Sequence, residues 1–192
     1  SSLYLNTYGS LYKIDNQNLS IKWFVNLNRS LDMNPSNLFL GNQTVIQNNI
    51  VVVNSNYNTY LIDLNTGSIL HKTNFTSSIK PLLVNESLFL VTKNNLLICF
   101  DASSGNVIYS YNINEKIAEF LNTKKKEVEV KNLMLVNNKI FLFLQNSYIL
   151  QFNINGSLEE INKLPSKLNT HPIFIDNSIL YLDYKNKLSI VN

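Results

Sequence analysis

Tyr60-Leu61-Ile62-Asp63-Leu64-Asn65-Thr66-Gly67 and Ile98-Cys99-Phe100-Asp101-Ala102-Ser103-Ser104-Gly105 are two copies of one pattern. Each is an apolar run that ends in Asp, followed by a short polar turn closed by Gly. A second apolar run precedes each across a polar turn: Ile50-Val51-Val52-Val53 in one, Leu88-Phe89-Leu90-Val91 in the other. Five such units run through the chain, entering at Leu3, Ile50, Leu88, Ile140 and Ile179. A recurring period of roughly 40 residues marks an array or a propeller.

The runs are four to six residues long, rich in Ile, Val, Leu, Phe and Tyr, and separated by Asn, Ser, Gly and Lys, which is the strand and hairpin signature. A further run leads each of three units: Lys80 to Ser87, Asn132 to Lys139 and His171 to Ser178. Pro81 and Pro172 stand at its start, where a missing N–H costs least. Four antiparallel strands per unit result. Many runs are apolar on both faces, as a sheet stacked between two others requires.

The expected class is all-β: a single β-propeller domain over 1–192, built of four-stranded antiparallel blades. The first unit lacks its leading strand and the last its final one, so the strands do not close a four-bladed ring. An arc of about four to five blades of an eight-bladed propeller is expected, with apolar faces open to self-association. Glu115 to Lys131 breaks the repeat. Ile117, Ala118, Phe120 and Leu121 fall at helical intervals before a charged stretch, which predicts a short helix and an exposed loop between blades. Insertions in repeat arrays gather on one face, often the binding face. Asn28 to Asn42 is a second long connection.

Composition narrows the function. The chain is 45% hydrophobic, enough for a sizeable core, with a net charge of only +3. Apart from Lys124-Lys125-Lys126 the lysines are dispersed, so the electrostatic footprint of a nucleic-acid binder is missing. Asn makes up about one residue in six, but it falls in turns rather than in a prion-like tract. The lone Cys99 rules out an internal disulfide and reads as a small buried hydrophobe. No apolar run reaches the ~20 residues of a membrane helix. The chain starts at Ser1, which reads as a processed or truncated product whose targeting signal has been removed.

The turn pattern resembles the Asp-x-x-Thr-Gly-x-x-x-Trp repeat of quinoprotein-type (PQQ-like) β-propellers. Here it stands as Asp63-x-x-Thr66-Gly67 with His71 eight residues after the Asp, and as Asp101-x-x-Ser104-Gly105 with Tyr109 at the same spacing. Asp15 is followed at that spacing by Trp23, with Leu19 in place of Gly, and the fourth unit keeps Asn153-x-x-Gly156. The resemblance implies that Trp23, His71 and Tyr109 are blade-docking residues, each resting on the turn of the next blade. Asp63, Gly67, Asp101 and Gly105 would shape those turns.

Two branches of the family then stay open. The quinone-dependent dehydrogenases need calcium-binding carboxylates, a stacking Trp and, in some, a vicinal cysteine pair. This chain offers Trp23, Cys99 and the adjacent Glu159-Glu160, which on a strand should point oppositely. The non-catalytic branch includes periplasmic lipoproteins of the outer-membrane β-barrel assembly machinery. It implies no enzyme activity, no cofactor, a barrel-assembly subunit as protein partner, and a lipid tether that this chain does not carry. A luminal or periplasmic sensor binding unfolded peptide is a third reading. His71 and His171 form no triad or metal cluster by spacing, and the sequence assigns no partner-binding residue.

Overall fold

In a computed structural model, residues 1–28, 39, 41, 43–176 and 178–191 are described. Most of the Asn28 to Asn42 connection lies outside them.

Among the described residues, five antiparallel sheets follow one another along the chain. The first contains β1 (Ser2–Leu5), β2 (Ser10–Ile14) and β3 (Ile21–Asn26), and the second β4 (Val45–Gln47), β5 (Ile50–Asn54), β6 (Thr59–Asp63) and β7 (Ile69–Lys72). The third contains β8 (Leu82–Val84), β9 (Ser87–Val91), β10 (Leu96–Asp101) and β11 (Val107–Asn112). After helix α1 (Ile113–Leu121) comes the fourth, β12 (Val130–Val136), β13 (Lys139–Leu144), β14 (Tyr148–Asn153) and β15 (Leu158–Lys163). The fifth holds β16 (Ile173–Ile175), β17 (Ser178–Leu182) and β18 (Leu188–Val191). Strands pair strictly in chain order within each sheet, so every blade is a meander. The leading strands β4, β8 and β12 are neighbours across blades, while the last strands face outward.

The core is not one mass but four layers between sheets. Val51, Val53, Tyr60 and Ile62 pack against Leu11 and Trp23. Val52 and Leu61, on the other face of the same sheet, pack against Leu88, Leu90, Ile98 and Phe100. Phe89, Val91, Leu97 and Cys99 then meet Ile140, Leu142, Leu150 and Phe152. Phe143 and Ile149 meet Tyr181 and Phe174. This explains the runs that are apolar on both faces, since a strand with two covered sides alternates toward two different layers. At about 25 cal/mol per Å² of apolar area, these layers are the main stabilising term.

The outer faces of the two end sheets break this pattern. Tyr4, Tyr12 and Phe24 stand side by side across β1, β2 and β3, with Tyr12 and Phe24 stacked at 5.9 Å. On β16, β17 and β18 the matching row is Ile173, Leu180 and Ile190. Phe24 is 65% exposed, whereas Val51 and Val53 on the equivalent face of the second sheet are fully covered.

Asparagine does much of the work that glycine does elsewhere. Among the described residues eleven non-glycine residues have positive φ, and eight of these are Asn. Asn48-Asn49 and Asn137-Asn138 give two left-handed residues in a row, the geometry of tight hairpins. Asn tolerates this region because its side chain bonds locally to the backbone. Leu19, at φ 57° and exposed, has no such excuse. Leu19→Gly is expected to raise stability by about 0.5–1 kcal/mol, the left-handed strain relieved less the added freedom of the unfolded chain. A urea midpoint that stays put or falls contradicts this.

Candidate functional site

The repeat motif builds the joints between blades. Asp63 sits at the end of β6, and its Oδ1 accepts from the Asn65 N–H (2.9 Å), the Thr66 N–H (2.7 Å) and the Thr66 hydroxyl (3.0 Å). This cap closes the turn on Gly67 at φ +76°. Trp23 from the preceding sheet lies flat against that glycine, where a Cβ would come 2.6 Å from the ring, and its Nε1 donates to the Leu64 carbonyl at 3.1 Å. His71 repeats the arrangement on Gly105, with Nε2 donating to the Ser103 carbonyl at 3.2 Å. Tyr109 does so on Gly156 and donates from its hydroxyl to the Ile154 carbonyl at 2.9 Å.

A shared backbone device aims these side chains. In four sheets the register slips once between the last two strands, opposite Lys13/Ile14, Leu61/Ile62, Cys99/Phe100 and Gln151/Phe152. The extra residue is Lys22, Leu70, Ile108 or Glu159, each one place before the docking position. A bulge adds local twist and re-aims the following side chain.

The structure differs from the sequence reading at several points. Tyr111 joins Tyr109 on Gly156, the two rings stacked at 5.1 Å. The signal was present in their spacing, since residues two apart on a strand share a face. Strict alternation does not apply at Glu159-Glu160, because Glu159 is the bulge residue. Its carboxylate is held below the usual range by Lys139 at 3.1 Å, with further hydrogen bonds from Gln151 and Asn153. Glu160 takes the docking place of Tyr109.

Asp101 shows how electrostatics supports a turn. Hydroxyls of Ser104 and Ser103, then backbone N–H groups, hold its pKa down to about 2 from an ordinary 3.8. A carboxyl depressed in the folded state adds stability that is complete above 3.8 and disappears as pH falls toward 2. Asp101→Asn should therefore flatten the acid limb of the stability profile in that window and leave its neutral region sloped as before. An unchanged acid limb, read by urea titration at stepped pH, counts against this role.

Cys99 is buried between the third and fourth sheets, and burial pushes its thiol pKa up. Among the described residues no three His, Cys, Asp or Glu side chains are grouped to hold a metal. Trp23, which a quinone site would stack, is engaged with Gly67.

What remains for recognition is the face opposite the motif turns. In a four-stranded meander the turns between second and third strands share one end with the connections to the next blade. The insertion emerges there. Asn112 caps α1 by accepting from the Glu115 N–H at 3.2 Å, and Asn122 ends it in the left-handed region at φ 50°. The helix thus begins two residues before the predicted Glu115, and the predicted charged loop ends in strand, since Val130 and Lys131 belong to β12. The returning chain is fastened on both sides. Asn114 Oδ1 accepts from the Val128 N–H at 3.2 Å, Asn95 Nδ2 donates to the Val128 carbonyl at 2.6 Å, and the Gln145 N–H donates to the Glu129 carbonyl at 2.9 Å.

Ile113 is fully buried and Ile117 packs on the layer between the third and fourth sheets. Phe120 and Leu121, predicted on the apolar side of the helix, are each 48% exposed. Beside the insertion lies a groove of about 820 Å³ lined by Lys93, Asn95, Glu127, Glu129 and Gln145. A second groove of about 660 Å³ opens between the fourth and fifth sheets.

Comparison with solved structures agrees with this architecture. BamB from Moraxella catarrhalis superposes with a TM-score of 0.72 at 11% identity, covering 98% of this chain and 54% of BamB. The fold is that of a β-propeller. The quinohemoprotein alcohol dehydrogenase ADHIIG from Pseudomonas putida HK5 gives 0.68 at 10% identity, over 98% of this chain and 38% of the enzyme. The computationally designed Ika8 protein gives 0.67 at 13% identity, over 98% and 54%. This chain thus spans about half the length of BamB and Ika8. No protein-family model matches it, and no curated protein does by sequence.

Proposed function

We propose that this chain is part of a non-catalytic propeller scaffold that holds a partner protein during outer-membrane β-barrel assembly, on the periplasmic side and tethered to that membrane. The observation that carries the reading is the insertion. It is the point where the repeat is broken, it is capped and strapped rather than loose, and it leaves Phe120 and Leu121 half-exposed on the connection face. Exposed aromatic and aliphatic side chains on a fixed element are the usual anchors of a protein interface. The likeness to BamB supports the assembly role, and the motif aromatics, occupied in blade joints, leave the loops to do the recognition. The open apolar faces of the first and fifth sheets support association with further blades or a second copy.

The test is binding of the chain to purified periplasmic domains of a barrel-inserting subunit, beside a panel of unfolded peptides. Phe120→Ser with Leu121→Ser should weaken domain binding about tenfold or more, at an unchanged urea midpoint. Equal binding by that variant removes the insertion from the interface. Binding to unfolded peptides without binding to the domains replaces the assembly role with that of a peptide sensor.

A further inference from the structure

The groove between the fourth and fifth sheets is built from four elements: the turn between β13 and β14 at Ser147, the end of β15, the connection that follows it, and the turn between β17 and β18. The last three supply Lys163, Lys167, Lys185 and Lys187 to its walls, against one carboxylate, Asp183. The excess is four minus one, or +3, as large as the formal charge of the entire chain. Asp183 is buried in the turn, and its Oδ1 accepts from the Lys185 and Lys187 N–H groups at 2.8 and 2.9 Å.

Five lysines elsewhere pair with a carboxylate: Lys22 with Asp15, Lys116 with Glu119, Lys125 with Glu115, Lys131 with Glu129 and Lys139 with Glu159. Lys13, Lys72, Lys80, Lys93, Lys124 and Lys126 have no such partner among the described residues; what sets the groove apart is four such lysines around one concavity. Among the described residues no carboxylate pairs with the four groove lysines. Lys163 and Lys185 instead lie over the rings of Tyr148 and Tyr184, at 5.9 and 5.5 Å. Four unpaired ammonium groups around one concavity repel each other, and an anionic occupant relieves that repulsion.

We propose that this groove binds an extended acidic segment of a protein partner, an inference that rests on the scaffold reading above and names the chemistry of its partner. The shape favours a chain over a compact anion. Lys167 lines both this groove and the one beside the insertion, so the two form one trough across the connection face. At the far end of that trough Glu127-Val128-Glu129 is held by its backbone, the Val128 and Glu129 carbonyls accepting from Asn95 and Gln145. The donors are ammonium point charges, which suit singly presented carboxylates, and the competing titration with inorganic phosphate separates the two anions.

The probe is a ten-residue peptide alternating Glu and Ser, which places its carboxylates on one side when extended. Its Gln-Ser analogue, inorganic phosphate and phosphatidylglycerol vesicles are titrated beside it. The Glu-Ser peptide should bind and the Gln-Ser analogue should not, with affinity falling as salt rises from about 0.05 to about 0.5 M. Lys185→Glu with Lys187→Glu should lower the affinity about tenfold or more, while Lys22→Glu, outside the groove, leaves it intact. Equal binding of the Gln-Ser peptide, tighter binding of vesicles or phosphate than of the Glu-Ser peptide, or indifference to the double reversal overturns the proposal. The barrel-assembly domains are measured on the same samples. If they bind while no acidic peptide does, the groove assignment fails and the scaffold stands. If the acidic peptide binds and the domains do not, the groove stands and the assembly role fails.

Discussion

Phe89→Ala lowers the unfolding free energy by about 3–5 kcal/mol, the cost of deleting a fully buried aromatic ring that its neighbours cannot collapse to replace. Phe89 is 0% exposed at the centre of the third sheet, in the layer it shares with Leu97, Cys99, Ile140 and Phe152. That layer joins two complete blades and carries the root of the inserted helix through Ile113. A domain of this size has about 5–15 kcal/mol in total, so one such loss brings it close to its threshold. Urea denaturation followed by circular dichroism should show a large drop in midpoint at an unchanged slope. Phe24→Ala, on the open face of the first sheet, is the internal comparison and should cost no more than about 0.5 kcal/mol. A similar cost at both positions means that the open face is covered in solution and that the layered core does not rank side chains as described.

Gly67→Ala is expected to cost about 2–5 kcal/mol, from two separable sources. A non-glycine residue at φ +76° pays about 1–2 kcal/mol of backbone strain. The added Cβ also lies 2.6 Å from the Trp23 ring, and forced overpacking of this kind costs about 1–3 kcal/mol. Trp23→Leu should remove the second term and keep the first, so a double-mutant cycle reads the collision directly as a coupling of about 1–3 kcal/mol. Trp23 is the only tryptophan, so its native emission reports the same joint without a label. Additive costs, with native emission unchanged in Gly67→Ala, mean that the indole does not rest on that turn.

The joints were readable because their chemistry is local. Asp63, Thr66 and Gly67 hold a turn through contacts at most four residues apart, and the spacing to His71 is fixed by the strand that follows. Trp23 on Gly67 came from aligning repeats, since no property of Trp23 alone points 44 residues ahead. Tyr111 was missed because the repeat has no second aromatic at that place, and Glu159 was misread because alternation fails where a strand carries an extra residue. The helix was legible in its apolar spacing, yet its start was shifted, because Asn112 acts as a cap at the end of a strand. Phe120 and Leu121 fit the apolar side of a helix by spacing. Only packing shows that the layer below is already filled by Ile113 and Ile117.

The lysine-rich groove was invisible for a different reason. Lys163, Lys167, Lys185 and Lys187 are spread over 25 residues and look like ordinary surface charge. Their meaning depends on which lysines find a carboxylate and which do not, and the partners of Lys22, Lys125 and Lys139 lie 7, 10 and 20 residues away.

By itself, the sequence determined the repeat, its four-stranded unit, the turn chemistry and the blade-to-blade order, because each depends on periodicity and on residues close in the chain. Tertiary structure alone decided which apolar residues stay uncovered, which lysines remain unpaired, and where two grooves merge at Lys167. Those properties belong to surfaces assembled from several blades, and no local pattern records what a neighbouring sheet covers or neutralises.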